Sequence, residues 1–255
     1  MSEVLWHDIE CGSYHLDLPL WRQLAARQGT PARPGSERRR GLPPRCTVLD
    51  VGAGAGRVAL DLAALGHEVV ALDRSPPLLA ALRRRADDRG LAVETEAADA
   101  RDFALARRFA LVVVPMQTIQ LLGGSAGRAR FLACAREHLA EGGLLAIALA
   151  DALEAFDSEH DQPPAPDLRE IDGVVYASRP IAIRDLGARA AIERIREVVQ
   201  RDGARAASRD VVELDRVSAD ELEAEAAANG LRAQAPARIA PSDAYVGSTV
   251  VMLRA

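Results

Sequence analysis

The run Val48-Leu49-Asp50-Val51-Gly52-Ala53-Gly54-Ala55-Gly56-Arg57 constrains this chain more than any other part of it. An apolar strand leads into glycines at alternate positions, and Arg57 to Leu65 is read as the helix that follows. Glycine allows torsions closed to other residues and lets backbone approach a ligand, while the first turn of a helix offers unpaired N–H groups. The pattern is that of a nucleotide-binding turn. A dinucleotide fingerprint has glycines at its first, third and sixth positions, and counting from Gly52 the sixth is Arg57. Asp50 also departs from that fingerprint, whose strand end is apolar.

From Asp50 to Gly56 the chain reads acidic-x-Gly-x-Gly-x-Gly, and here it resembles the class I S-adenosylmethionine-dependent methyltransferases of the small-molecule type. Three later segments extend the resemblance, which covers about residues 14 to 150. Gly66 to Asp73 reads as a buried second strand ending in a carboxylate. A third strand, Ala92 to Ala97, leads to Asp99-Ala100, and a fourth, Phe109 to Val114, leads to Pro115-Met116-Gln117. The resemblance implies an α/β fold with a Rossmann-like, doubly wound, mostly parallel seven-stranded sheet, an antiparallel C-terminal edge and an inserted antiparallel strand region. It also implies S-adenosyl-L-methionine as cofactor. Asp50, Gly52, Ala53 and Gly54 would form the cofactor turn, and Asp73, followed by Arg74, would accept the ribose hydroxyls. Asp99 and Ala100 would face the adenine, and Met116 and Gln117 would lie beside the sulfonium. Tyr14, in a lead-in that resembles the family's aromatic lid, is read either as closing over the cofactor or as packing where the arm docks.

Composition narrows the chemistry. Every basic side chain is arginine, and the absence of lysine removes Schiff-base, P-loop-lysine and lysine-base mechanisms. The net charge of −5 argues against general nucleic-acid affinity. Arg38-Arg39-Arg40 sits in a Pro- and Gly-rich stretch and is read as a solvated linker. The acceptor motif of nucleic-acid and protein methylation, Asn/Asp-Pro-Pro-Tyr, is replaced by Pro115-Met116-Gln117-Thr118. Cys11, Cys46 and Cys134 lack paired spacing, so neither disulfides nor zinc are expected. No carboxylate cluster follows the fourth strand, and no metal is expected. With no apolar run of membrane length and no leader pattern at Met1 to Asp8, a cytoplasmic location is expected. His67 and His138 occupy packing positions. His7, His15 and His160 are free to approach the active face, but no spacing singles one out, and the catalytic base is left unassigned.

The expected organisation is an arm, helix and linker over 1–45, a cofactor-binding domain over 46–150 and 218–255, and an insertion over 151–217. The arm's helix is placed at Leu18 to Arg27. Ala126 to Ala140 is read as a helix leading to a fifth strand, Leu144 to Leu149. Ser218-Ala219-Asp220-Glu221 matches a capping box, and strands at Leu231 to Ile239 and Ser248 to Leu253 close the sheet. In the insertion, Val174 to Tyr176, Ile181 to Ile183 and Val211 to Leu214 are strand pieces, while Ala190 to Gln200 fits either strand or helix. The insertion is expected to cover the acceptor site or to form a homodimer contact. Residues 151 to 172 hold eight acids against one arginine, a field that would favour a cationic acceptor. Two functions stay open: methyl transfer to a nitrogen or oxygen of a small metabolite, and a catalytically inactive cofactor-binding regulator.

Overall fold

The computed structural model describes residues 3–30, 44–150, 153–159, 164–242 and 247–255. The Arg38-Arg39-Arg40 cluster, His160 and part of the acidic segment lie outside the described residues. The order is α1 (Glu3–Glu10), α2 (Leu18–Gln28), β1 (Thr47–Val51), α3 (Arg57–Ala64), β2 (Glu68–Asp73), α4 (Pro76–Asp88), β3 (Val93–Ala97), β4 (Phe109–Val114), a 3-10 turn at Thr118–Leu121, α5 (Gly124–Glu137) and β5 (Leu139–Leu149). Then follow β6 (Phe156–Asp157), β7 (Asp167–Ile171), β8 (Val174–Asp185), β9 (Arg189–Val199), β10 (Arg205–Asp215), α6 (Ala219–Ala228), β11 (Arg232–Ile239) and β12 (Ser248–Arg254).

A seven-stranded sheet has the order β11-β12-β5-β4-β1-β2-β3. The five strands from β5 to β3 are parallel, and β12 runs antiparallel to both β5 and β11. Strands buried on both faces read as continuous apolar runs, which explains Val48 to Val51 and Phe109 to Val114. Alternate residues serve opposite faces. Val48, Val69, Leu111 and Val113 pack with Trp21, Leu62, Leu79 and Leu82 of α2 to α4. Leu49, Val70, Val112 and Val114 pack with Phe131, Leu132 and Leu222 of α5 and α6. The chain switches direction across the sheet between β1 and β4, so their carboxyl ends open a crevice of the kind that holds ligands in such folds.

The insertion forms a second, antiparallel sheet in the order β10-β9-β8-β6, with β7 also paired to β8. The ambiguous segment is strand β9. The pieces at 174–176 and 181–183 are one strand, and the register shifts between Pro180 and Ala182; proline has no N–H to give the ladder, and a bulge absorbs it. β5 begins at Leu139 rather than at Leu144, so α5 stops at Glu137. The capping box at Ser218 and Glu221 is formed reciprocally. The arm holds a helix that the sequence reading lacked, α1, which packs between α4 and strands β7 and β8. No helix among the described residues is long and apolar enough to cross a membrane.

Candidate functional site

A cavity of about 260 Å³ opens at the carboxyl ends of β1, β2 and β4. Its lining includes Asp50, Gly52, Ala53, Asp73, Arg74, Asp99, Ala100, Met116 and Gln117. These are the sequence-derived cofactor residues apart from Gly54 and Tyr14, brought together because each follows or ends a parallel strand.

The glycine turn is shaped by two neighbours. Gly52 has φ +72°, and a Cβ there would stand 2.5 Å from Thr118 Cγ2. Gly54 has φ +55°, and a Cβ there would stand 2.2 Å from His7 Nε2. Backbone alone can occupy both places. The Gly54 N–H donates to Asp73 Oδ2 at 2.8 Å, and the Ser75 N–H donates to Asp73 Oδ1 at 2.8 Å. A carboxylate has about four lone-pair sites, so Asp73 keeps acceptor capacity toward the cavity.

Asp50 lies in the middle of the sheet, paired in register with Ala71 and Val113, and is fully buried. Neither of its carboxylate oxygens makes a well-formed hydrogen bond. Burial pushes its pKa up to about 7, against the opposing pull of Arg57 and the Ala59 N–H. A buried acceptor without a partner on a cavity wall fits a ligand that brings a donor, as does the backbone cradle beside it. By these two observations the residues present fit the cofactor that the resemblance implies.

Asp99 is engaged within its own turn. Its carboxylate accepts from the Arg101 N–H at 2.8 Å, from Nε at 2.9 Å and from Nη2 at 2.6 Å. These bonds hold its pKa down at about 2. An adenine amine would therefore share the carboxylate with Arg101, itself a cavity residue that the sequence reading did not select. Met116 has φ +56°, a left-handed torsion uncommon for a side-chain-bearing residue. Thr118 Oγ1 donates to the Pro115 carbonyl at 3.0 Å, which closes the turn that carries Met116.

Tyr14 does not line the cavity. It is buried, with the Arg57 guanidinium 5.1 Å from its ring centroid, and its carbonyl accepts from Arg57 Nη1 at 3.0 Å. That is the packing alternative. Arg57, the residue that breaks the dinucleotide pattern, pairs with buried Asp17 at 2.5 and 2.8 Å, and Asp17 also accepts from Trp21 Nε1 at 2.8 Å. The arm is thus anchored on the first residue of α3.

The residues that lie over the glycine turn come from α1 and its end. His7 and Cys11 line the cavity, and no motif pointed to them. A signal was available in the apolar stripe Leu5, Trp6 and Ile9, which has helical spacing. Among the acids of the insertion, Asp157 pairs with Arg184 at 2.5 Å and Asp167 with Arg194 at 2.5 Å, so this part of the expected negative field is cancelled locally. Among the described residues, no group of three or more His, Cys, Asp or Glu is arranged to hold a metal ion.

Residues 48–143 match the family described as a methyltransferase domain. The ubiquinone biosynthesis O-methyltransferase of Cereibacter sphaeroides is 32% identical over 98 residues, 38% of either chain, so this similarity spans well under half of that relative's length. The S-adenosylmethionine-bound structure of CalS10, an amino pentose methyltransferase from Micromonospora echinaspora, shares the fold with a TM-score of 0.70 and 22% identity over 99% of this chain and 97% of that one. The sugar N-methyltransferase KedS8 from Streptoalloteichus sp ATCC 53650 gives 0.71 and 21% over 98% and 92%. The chain thus carries a methyltransferase domain over residues 48–143, from β1 into β5, on a fold shared almost end to end with solved methyltransferase structures.

Proposed function

We propose that the chain transfers a methyl group from S-adenosylmethionine to a nitrogen of a small metabolite. An oxygen acceptor is the less favoured form of the same reaction. The observation that carries the choice is where each similarity falls. The relative named as an O-methyltransferase matches only 98 residues. The neighbours named as amino pentose and sugar N-methyltransferases are matched through the inserted sheet as well, and the acceptor side is where the class varies. The insertion would reach the acceptor side through α1, which lies between it and α4 and carries His7 and Cys11 to the cavity.

The bound cofactor supplies a methyl already activated by its sulfonium, so the protein's main task is to hold donor and acceptor in line. Asp73 would accept the ribose hydroxyls, and Asp99 with Arg101 would border the adenine. Arg74, Ala100, Gly52 and Ala53 complete the walls and floor. Met116 and Gln117, with the Pro115 carbonyl, border the place of transfer. Asp50, buried at the turn, would accept a donor from the cofactor or a water beside it.

A mass-spectrometric screen tests this reading: amino sugars and other small amines against phenols and hydroxylated analogues, with labelled cofactor. Methylated amines are expected. Methylation confined to hydroxyl acceptors would overturn the choice of nitrogen, and cofactor binding with no transfer to any acceptor would favour the inactive regulator.

A further inference from the structure

We propose that the free edge of β10 pairs antiparallel with β10 of a second copy of this chain, with Val211 on the two-fold axis and Arg209 facing the second copy's Glu213.

An unpaired strand edge presents N–H and C=O groups that take up another strand unless something blunts them. Both edges of the seven-stranded sheet are blunted. β11 carries Pro236 within a register shift, and β3 is only five residues long and holds Glu94 and Glu96. On the inserted sheet, the edge beside β8 is divided between the short strands β6 and β7. β10 forms the opposite edge, and its eleven residues pair with β9 from Arg205 to Asp215 without a register shift. It has no proline or glycine, and every residue from Arg205 to Glu213 is exposed except half-buried Asp210. No described strand pairs with its outer side.

The ladder fixes which backbone groups are available. The Gln200 N–H donates to the Ala204 carbonyl at one end of the β9–β10 hairpin, and the Arg216 N–H donates to the Ala188 carbonyl at the other. Bonded pairs alternate along an antiparallel ladder, so the even-numbered residues from Ala206 to Leu214 are the ones bonded to β9. The odd-numbered residues from Arg205 to Glu213 therefore point their N–H and C=O groups outward. Asp215 continues that series, and its carbonyl accepts from Gln120 Nε2, which ends the free edge. Ser208 lies in register with Arg196, whose guanidinium holds Glu10 of α1. Side chains alternate between faces, so Arg209, Val211 and Glu213 lie on the face turned away from α1.

Charge selects the register. Two copies of one strand about a two-fold axis bring outward-pointing residues opposite each other. With Val211 on the axis, the two valines meet, each 50% exposed in the single chain, and Arg209 faces Glu213 at two symmetric places. An axis at Asp210 would set Arg209 against Val211 and Glu213 against Ala207, leaving both charges without a counterpart. An axis at Arg209 would oppose two arginines. Opposite charges directly across a ladder stabilise it, and like charges destabilise it. Within the chain Arg209 already pairs with Glu193, and Glu213 with Arg189. The dimer joins these pairs into alternating rows, Glu193 and Arg209 of one copy leading to Glu213 and Arg189 of the other. Because Gln120 closes the edge beyond Leu214, the paired segment is short, and the association is a reversible one.

Sedimentation velocity over a concentration series tests this. Wild-type protein should pass from monomer to dimer as concentration rises. Arg209→Glu and Glu213→Arg should each weaken dimerisation roughly tenfold, and the two together should restore most of it. On mild oxidation Val211→Cys should give a disulfide-linked dimer, whereas Leu168→Cys, exposed on β7, should not exceed the background of wild-type protein with its own three cysteines. A monomer at every concentration would overturn the proposal and leave the edge to a different chain. Single variants that dimerise like wild type, or a double variant no better than the singles, would overturn it as well. If the charge variants do not fold, the cross-link decides: none at Val211→Cys, or as much at Leu168→Cys, overturns the pairing.

Discussion

Asp73 at the end of β2 accepts hydrogen bonds from both Gly54 and Ser75, each at 2.8 Å, so one carboxylate ties the glycine turn to the first turn of α4. From the sequence, a strand-end acid facing ribose should affect binding with little effect on folding. The structure adds a second role. Asp73→Ala is expected to weaken S-adenosylhomocysteine by roughly 2–4 kcal/mol and also to cost about 1–3 kcal/mol of stability, because two backbone donors lose a charged acceptor. Calorimetry and denaturant titration on the same variant separate the effects. Unchanged affinity in a folded variant would remove Asp73 from the site.

Asp50 makes stability depend on pH in a direction opposite to that of a paired carboxylate. Its folded pKa, about 7, lies above the ordinary aspartate value of 3.8. Between those values the folded state binds a proton that the unfolded state does not, so this group's contribution falls as pH rises through the window. Asp50→Asn mimics the protonated form. Without ligand, it should raise Tm relative to wild type at pH 8, and the difference should shrink toward zero below pH 4. A pH-independent difference would mean that the carboxylate is solvated or paired in solution.

Thermal shift distinguishes the cofactor classes directly. S-adenosylhomocysteine should raise Tm by mass action, and NAD should not, because the sixth fingerprint position is Arg57 locked to Asp17. Stabilisation by NAD alone would contradict S-adenosylmethionine as the cofactor.

The parallel strands were legible because a strand buried on both faces is an apolar run, here closed by glycine or acid. The cavity lining was legible for the same reason: Asp50, Asp73, Asp99 and Met116 each sit at or just beyond a strand, and topology gathers strand ends. α1 was not legible as part of the site, since its eight residues bury only Trp6 and Ile9 and its neighbours, from Gly54 to Arg196, are far from it in sequence. β9 was ambiguous because Ala, Ile, Arg and Glu suit helix or strand, and only pairing along the length of β8 and β10 decides it. The role of Tyr14 turned on Arg57, a contact between residues 43 apart that no local pattern encodes.

Glu10 offers a test of how α1 is held. It joins the helix to Arg196 and Ser178 of the inserted sheet, and those partners hold its pKa low despite burial. Glu10→Ala should cost about 2–3 kcal/mol, since Arg196 and Ser178 lose charge-assisted partners. Limited proteolysis should then cut first within residues 3–13, while the circular dichroism of the core is retained. Protection equal to wild type would place the anchoring of α1 in Trp6 and Asp8 instead.

Gln120 carries the last prediction, because it joins the inserted sheet to the turn that holds Met116. It is almost wholly buried; its Nε2 donates to the carbonyls of Ala150 and Asp215, each at 3.1 Å, and its Oε1 accepts from the Ala150 N–H at 2.9 Å. Ala150 follows β5 and Asp215 ends β10, so one amide fastens the chain where the insertion leaves the cofactor domain and where it returns. Asp215 adds a bond to the Gly124 N–H at 2.5 Å and a pair with Arg128 at 3.2 Å. Gln120→Ala leaves three backbone groups in a buried interior without their side-chain partner and should cost roughly 3–5 kcal/mol, more than surface substitutions on the same sheet. Because the exit and return of the insertion would loosen together, acceptor KM should rise while cofactor affinity, set at Asp73 on the far side of β1, changes little. Equal losses in both would show that Gln120 supports the whole cavity rather than its acceptor side.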